Sequence, residues 1–239
     1  MITQVKVFSA GSLRNALPAI FENTDLLVTT TLGPSGVLQE RIVSGDCPAL
    51  FLSANLKHGQ ILADLGLASD PVLFTENELC LFGRSSAMQS DDVLKNMLNT
   101  ENRIGTSTPI DDPGGDYAFA VFDKTEAVQS GSRLILRERA LTLVGGKNSP
   151  KEKGPHSPVY HLFDDGRIDL FLGYKTTALD LAQKMTDIHI MDLPHPLKVR
   201  AKYYAMVIGE SKEGAELLQT VLAAESQKIL ELCGFKVPV

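Results

Sequence analysis

Along this chain of 239 residues the apolar positions keep two rhythms, short continuous runs and runs spaced three or four apart. Residues 5–8, Val-Lys-Val-Phe, read as a short, mainly apolar strand ending at Ser9-Ala10-Gly11-Ser12, after which Leu13, Ala16, Leu17 and Ile20 recur at helical spacing. The pattern predicts strand, turn, helix. Pro18 falls inside the helical part, so either its first turns are irregular or the helix bends there. A second unit follows: a strand over 26–31, the turn Gly33-Pro34-Ser35-Gly36, and a helix carrying Val37, Leu38, Ile42 and Val43 up to Gly45. A third strand, 49–52, runs into Ser53-Ala54-Asn55, with a helix bearing Ile61, Leu62 and Leu65 closed by Gly66. Repeated βα units predict an α/β fold, a mostly parallel sheet flanked by helices.

Residues 79–82 read as a strand, and the polar segment 83–90 as a boundary. A second α/β region over 103–191 holds Ile104-Gly105-Thr106, a turn at Asp111-Asp112-Pro113-Gly114-Gly115 and a helix through Tyr117, Val121 and Phe122. The Gly/Pro/Lys-rich stretch 145–158 reads as a loop, followed by a short helix over 159–163 and a strand over 169–173 leading to Tyr174. A strand over 197–208 and one amphipathic helix over 215–233 complete the pattern.

Composition narrows the function classes. A 44% hydrophobic and 22% charged chain of this length builds an ordinary folded core, not a disordered or disulfide-scaffold one. The net charge is −6 with no Lys/Arg block, which argues against nucleic acid or an anionic membrane as partner. No apolar run reaches the roughly 18 residues needed to span a bilayer. The opening MITQVKVFSAGSL lacks the basic segment and cleavage site of a signal peptide, so the sequence as given reads as soluble. Cys47, Cys80 and Cys233 are odd in number and form no C-x-x-C pair; they read as free thiols, with a Cys47–Cys80 disulfide as the alternative.

The candidate chemistry lies at the strand ends, where open α/β sheets place ligands and helix N-termini aim free N–H groups. Ser12, Ser35 and Ser53 each stand there. One such serine is explained by helix capping alone. Three, with Gly11, Gly36, Gly114 and Gly115 admitting backbone close to a ligand, compose an anion cradle of hydroxyls and amides. Catalytic and metal templates are missing: there is no G-x-S-x-G, H-E-x-x-H or G-x-x-x-x-G-K-[ST], and Gly145-Gly146-Lys147-Asn148-Ser149 only superficially matches a phosphate loop. The histidines are scattered; His156 and His161 are the nearest pair and match no usual zinc spacing. Asp111, Asp112 and Asp116 are a candidate carboxylate site, though Asp-Asp-Pro-Gly more often builds a turn.

Five segments carry a family resemblance: Val7-Phe8-Ser9-Ala10-Gly11-Ser12-Leu13, Gly33-Pro34-Ser35-Gly36-Val37-Leu38, Leu50-Phe51-Leu52-Ser53-Ala54, Asp112-Pro113-Gly114-Gly115-Asp116-Tyr117-Ala118 and Leu170-Phe171-Leu172-Gly173-Tyr174. With the closing Cys233-Gly234-Phe235, the chain resembles the molybdate-binding periplasmic protein family over nearly its whole length. The resemblance implies a two-lobed type II periplasmic-binding-protein fold, with 1–82 plus 201–239 as one lobe and 83–200 as the other. It further implies a monomer without cofactor or catalysis. That monomer would hold molybdate or tungstate between the lobes for a membrane ABC permease and ATPase complex.

Carried over by residue, the resemblance makes Ser12 and Ser35 ligand serines, puts a backbone contact at Ala54 and a backbone N–H donor at Gly114, and gives Tyr174 a hydroxyl contact. Ser157 or its neighbour is a further match. Ala49 and Asn55 depart from the family's usual Asp, and Gly36 from its Ser or Thr. A donor-only site of this kind suits a fully ionised dianion and leaves the proton of hydrogen phosphate unpaired, whereas an Asp of the 111/112/116 group facing inward reverses that preference. The implied compartment is the periplasm, or the cytoplasm if Met1 is the native start. A cytoplasmic sensing module of the same fold, a binder of phosphate, sulfate or a small organic acid, and an anion-handling transferase are the alternatives.

Overall fold

The computed structural model describes residues 4–22, 24–149 and 156–238. From the N-terminus, β1 (Gln4–Ala10) passes through a 3₁₀ turn (Gly11–Leu13) into α1 (Leu17–Phe21), β2 (Leu27–Gly33) feeds α2 (Ser35–Val43), and β3 (Leu50–Ser53) feeds α3 (Leu56–Asp64). A long strand follows, β4 (Val72–Arg84), and then α4 (Val93–Leu98), β5 (Ile104–Ser107), α5 (Pro113–Thr125), α6 (Ser132–Arg139) and β6 (Leu141–Val144). The chain closes with α7 (Pro158–Asp164), β7 (Leu170–Tyr174), α8 (Lys175–Lys184), β8 (Ile188–Asp192), β9 (Arg200–Val207), α9 (Lys212–Leu222) and α10 (Ala224–Leu232).

Two compact units divide these elements, one of residues 1–77 and 201–239, the other of 78–200. The sequence reading set these passages near 82 and 200. In the first unit β1 pairs in parallel with β2 on one side and β3 on the other, and β9 lies antiparallel to β3. In the second, β5 pairs in parallel with β6 and β7, while β4 runs antiparallel to both β7 and β8. The first sheet is therefore mostly parallel with one reversed strand, and the second is mixed. The reversed strands, β9 and β4, are the two in which the chain passes from one unit to the other.

Each unit has its own core. Phe8 and Phe51 from neighbouring strands meet Leu38 and Ile42 of α2, Leu62 of α3 and Met206 of β9. In the second unit Phe82, Phe171 and Phe163 cluster with ring centroids 5.4 and 6.1 Å apart, beside Leu162, Ile168 and Leu181. Burying a side chain of this size contributes about 1.5–3 kcal/mol. All three cysteines are free, which removes the disulfide alternative. Burial pushes the Cys80 thiol far above its usual range, so it packs as a small hydrophobe. Among the described residues no helix is long and apolar enough to cross a membrane.

Of three local expectations the first holds in one of its two forms: the turns ahead of α1 are irregular, a 3₁₀ turn at Gly11–Leu13, and Pro18 sits in the first turn of α1, where its missing N–H has no intrahelical partner to lose. The other two are corrected. The Asp112–Gly115 turn is instead the start of α5, with Asp112 as N-cap and Pro113 in the first turn. The single helix over 215–233 is two, broken at Ala223 in an extended conformation. Ser226 Oγ donates to the Thr220 carbonyl at 2.6 Å and Gln227 Nε2 to that of Val221 at 3.0 Å, so acceptors at the end of α9 are satisfied across the break.

Candidate functional site

Because β2, β1 and β3 are parallel and adjacent, their carboxyl ends lie side by side: Ala10 is in register with Gly33, and Ser9 with Leu52. Ser12 stands in the 3₁₀ turn after β1, Ser35 is the first residue of α2 after β2, and Ala54 follows β3. Ser35 is buried, and its Oγ accepts the Ala54 N–H at 3.1 Å, tying two strand ends together. The Ala54 amide, implied as a ligand contact, thus bonds to Ser35, which carries the same implication. Ser12 is half-buried, its Oγ 2.7 Å from the Tyr203 hydroxyl. Asn77 Nδ2 donates to the same phenol oxygen at 3.5 Å.

Sequence reasoning missed Tyr203 and Asn77. Tyr203 is fully buried, edge-on to the rings of Phe74 and Phe235 at 6.4 and 5.4 Å. The signal was present in the alternation along β9, which puts Ala201, Tyr203 and Ala205 inside, since a buried tyrosine needs a partner for its hydroxyl. Ser53, by contrast, closes on its own turn, donating to the Asn55 carbonyl at 2.8 Å and accepting the Asn55 N–H at 3.3 Å. Asn55 caps α3 by accepting the His58 N–H at 3.2 Å, a role that an Asp would fill with an added charge. Ala49 works through its backbone, donating to Lys6 and accepting from Ile208. Nothing lies within 4 Å of where a Cβ on Gly11 would sit, and Gly36 is buried in the first turn of α2.

In the second unit β6, β5 and β7 are likewise parallel, and the N-terminus of α5 packs at their carboxyl ends. A Cβ on Gly114 would lie 3.1 Å from Ser107 Oγ and 3.2 Å from Cε2 of Tyr174, which brings these three residues together. Gly115 packs so closely on the backbone of Thr108 and Pro109 that any side chain would displace it. The Gly114 N–H, implied as a ligand donor, donates to Asp112 Oδ1 at 2.9 Å. Burial pushes the Asp112 carboxyl up to about 6, opposed by its bonds from the Gly114 N–H and the Ser107 hydroxyl, with Asp116 and Asp111 adding to the rise. Asp116 in turn accepts the N–H of Ile110 at 2.9 Å. Ile110 is exposed with φ at 75°, the one non-glycine among the described residues in that region, and a β-branched side chain there stores strain.

Tyr174 is buried at the end of β7, its ring 6.5 Å from that of Tyr117 in an edge contact. Ser157 caps α7, its Oγ accepting the Tyr160 N–H at 3.3 Å. Next to it His156 stacks on Tyr160 at 4.2 Å, with the His161 ring 6.2 Å away. Among the described residues, no group of three or more His, Cys, Asp or Glu is placed to hold a metal cation. Hydroxyls and amides dominate the positions read from the sequence, a donor set suited to an anion.

Solved structures share this architecture. The periplasmic molybdate-binding protein of Azotobacter vinelandii is 19% identical with a TM-score of 0.77 over 98% of this chain and 100% of that one. The sulfate-binding protein SubI of Mycobacterium tuberculosis is 12% identical with a TM-score of 0.76 over 98% and 87%. PEB3, a Campylobacter jejuni protein solved with L-phospholactate bound, is 16% identical with a TM-score of 0.71 over 98% and 100%. The fold is that of the type II periplasmic binding proteins. Residues 5–236 match the model of the bacterial extracellular solute-binding proteins, and the chain belongs to that family. An uncharacterized protein of Pasteurella multocida is 33% identical over 238 residues, covering 97% of this chain and 98% of its own length. By its family the protein is a solute-binding protein rather than an enzyme.

Proposed function

We propose that this protein captures a tetrahedral oxyanion, molybdate or tungstate, in the periplasm and delivers it to an ABC permease and ATPase complex. The observation that supports this most is the pair of serines at adjacent parallel strand ends, with Ser35 already accepting a backbone N–H and so keeping its own hydrogen for a ligand. Hydrogen bonds to a charged group contribute about 1.5–3 kcal/mol each. Five or six of them would contribute about 7.5–18 kcal/mol, to set against the roughly 8 kcal/mol of micromolar affinity and the cost of association. No cation is needed, which reconciles an anionic ligand with a chain of net charge −6. A donor set of hydroxyls and amides, in a fold that the Azotobacter vinelandii molybdate-binding protein shares, makes the bare oxyanion the first choice.

A second reading rests on Asp112. Its carboxyl takes the Gly114 N–H that a dianion would use and supplies an acceptor beside Tyr174, which favours a ligand that carries a proton, such as a phosphorylated organic acid. A thermal-shift panel of molybdate, tungstate, sulfate, phosphate and phospholactate separates the two. Ligand at about 100 times its dissociation constant adds about 2.7 kcal/mol. Stabilisation by molybdate or tungstate supports the first reading; a response to phosphate or phospholactate alone replaces it with the second.

A further inference from the structure

We infer that Tyr203 and Asn77 fix the direction of the Ser12 hydroxyl, and that this relay makes the first unit select a fully ionised oxyanion over one that carries a proton. The inference rests on the oxyanion reading above and deepens it. A serine hydroxyl has one hydrogen and two lone pairs, so by itself it serves a ligand acceptor or a ligand donor equally well. What surrounds it decides which. Asn77 Nδ2 is a donor only, so in its 3.5 Å contact the Tyr203 oxygen is the acceptor. Either oxygen can be the donor in the 2.7 Å contact between Tyr203 and Ser12; the inferred relay gives it the Tyr203 hydrogen and leaves the Ser12 hydrogen for the ligand.

The relay runs in one direction, amide to phenol to hydroxyl, and each bond polarises the next. Tyr203 is held in place because it is fully buried between Phe74 and Phe235. Ser35 is set in the same sense by a different donor, the Ala54 N–H at 3.1 Å. Both serines therefore accept from the protein and offer hydrogens outward. A ligand oxygen that carries its own proton meets a hydrogen instead of a lone pair. An unpaired buried donor of that kind costs roughly ten- to a hundredfold in affinity.

Tyr203 is a positioning residue, and its test reads selectivity rather than affinity alone. Tyr203→Phe keeps the packed ring and removes the hydroxyl, so Ser12 is free to turn. Calorimetric titration of the intact protein with tungstate, and with phosphate at a pH where phosphate carries a proton, gives a ratio of affinities. The expected result is a tungstate affinity about tenfold weaker in Tyr203→Phe with phosphate unchanged or stronger, so that the ratio collapses. A ratio within twofold of the parent's overturns the inference. Asn77→Asp provides a second reading by turning the donor into an acceptor: the Tyr203 hydrogen swings to the new carboxylate, Ser12 donates to Tyr203, and the ratio falls again. An unaltered ratio there also overturns it. A parent protein that binds neither molybdate nor tungstate overturns the oxyanion reading and this inference together, whereas tungstate binding with ratios unmoved in the variants overturns this inference alone.

Discussion

Asp112 shows how one side chain ties local structure to a measurable property. Its carboxyl caps α5 through the Gly114 N–H, yet burial raises it from the ordinary 3.8 to about 6. Between about pH 4 and 6 the native protein then holds more protons at this position than the unfolded chain, so stability is greatest below that window and falls as pH rises through it. Asp112→Asn keeps an oxygen to accept the Gly114 N–H and removes the titration. Urea unfolding midpoints at pH 4 and 7 should therefore differ less for the variant than for the parent; an equal difference assigns the pH dependence elsewhere. Ser12→Ala should weaken oxyanion binding about tenfold and, because it removes the 2.7 Å contact to the buried Tyr203 hydroxyl, lower the melting temperature modestly while the protein stays folded, as read by calorimetry and thermal unfolding together. The strand-end places of Ser12, Ser35 and Tyr174 were legible in the sequence because strand ends announce themselves by apolar runs giving way to turn residues. Tyr203 and Asn77 were not, since the Ser12–Tyr203 contact spans 191 positions and the Asn77–Tyr203 contact 126, and no local pattern records either.

At the scale of elements, Gly214 in the first turns of α9 sets two effects against each other. Helix propensity favours alanine there by about 1 kcal/mol. A Cβ at Gly214, however, would strike the Ala49 carbonyl oxygen and stand 2.9 Å from its carbon, backbone that cannot yield as a side-chain end can. Overpacking of this kind costs about 1–3 kcal/mol, so the clash wins. Gly214→Ala should lower the melting temperature by several degrees in differential scanning calorimetry; a rise would show that α9 shifts freely on β3. The first three βα units were readable to within a few residues because each strand contains a short run of apolar or β-branched residues that gives way to turn residues, and each helix has one apolar face. α6 was not: Leu134 and Ile135 are exposed and only Leu136 of that run is buried, so its apolar letters mark no face. The break between α9 and α10 escaped for the opposite reason, because apolar spacing continues across Ala223 while Ser226 and Gln227 satisfy the interrupted carbonyls.

For the whole molecule, the alternation of strands and helices identified an α/β chain, and the order of its glycine- and serine-bearing turns resembled one family of anion binders. The reversed strands β9 and β4 were invisible to that reading because strand direction within a sheet is decided by the path of the chain and not by local letters. The net charge of −6 excluded nucleic acid, and with neutral hydroxyls and amides at the strand ends it is compatible with an anionic ligand. The central claim is that the ligand is a fully ionised tetrahedral oxyanion. Titrating the intact protein with molybdate by isothermal calorimetry tests it most directly: saturable one-to-one binding at micromolar affinity or tighter is expected. No heat with molybdate or tungstate, beside saturable binding of phosphate or a phosphorylated acid, would contradict it.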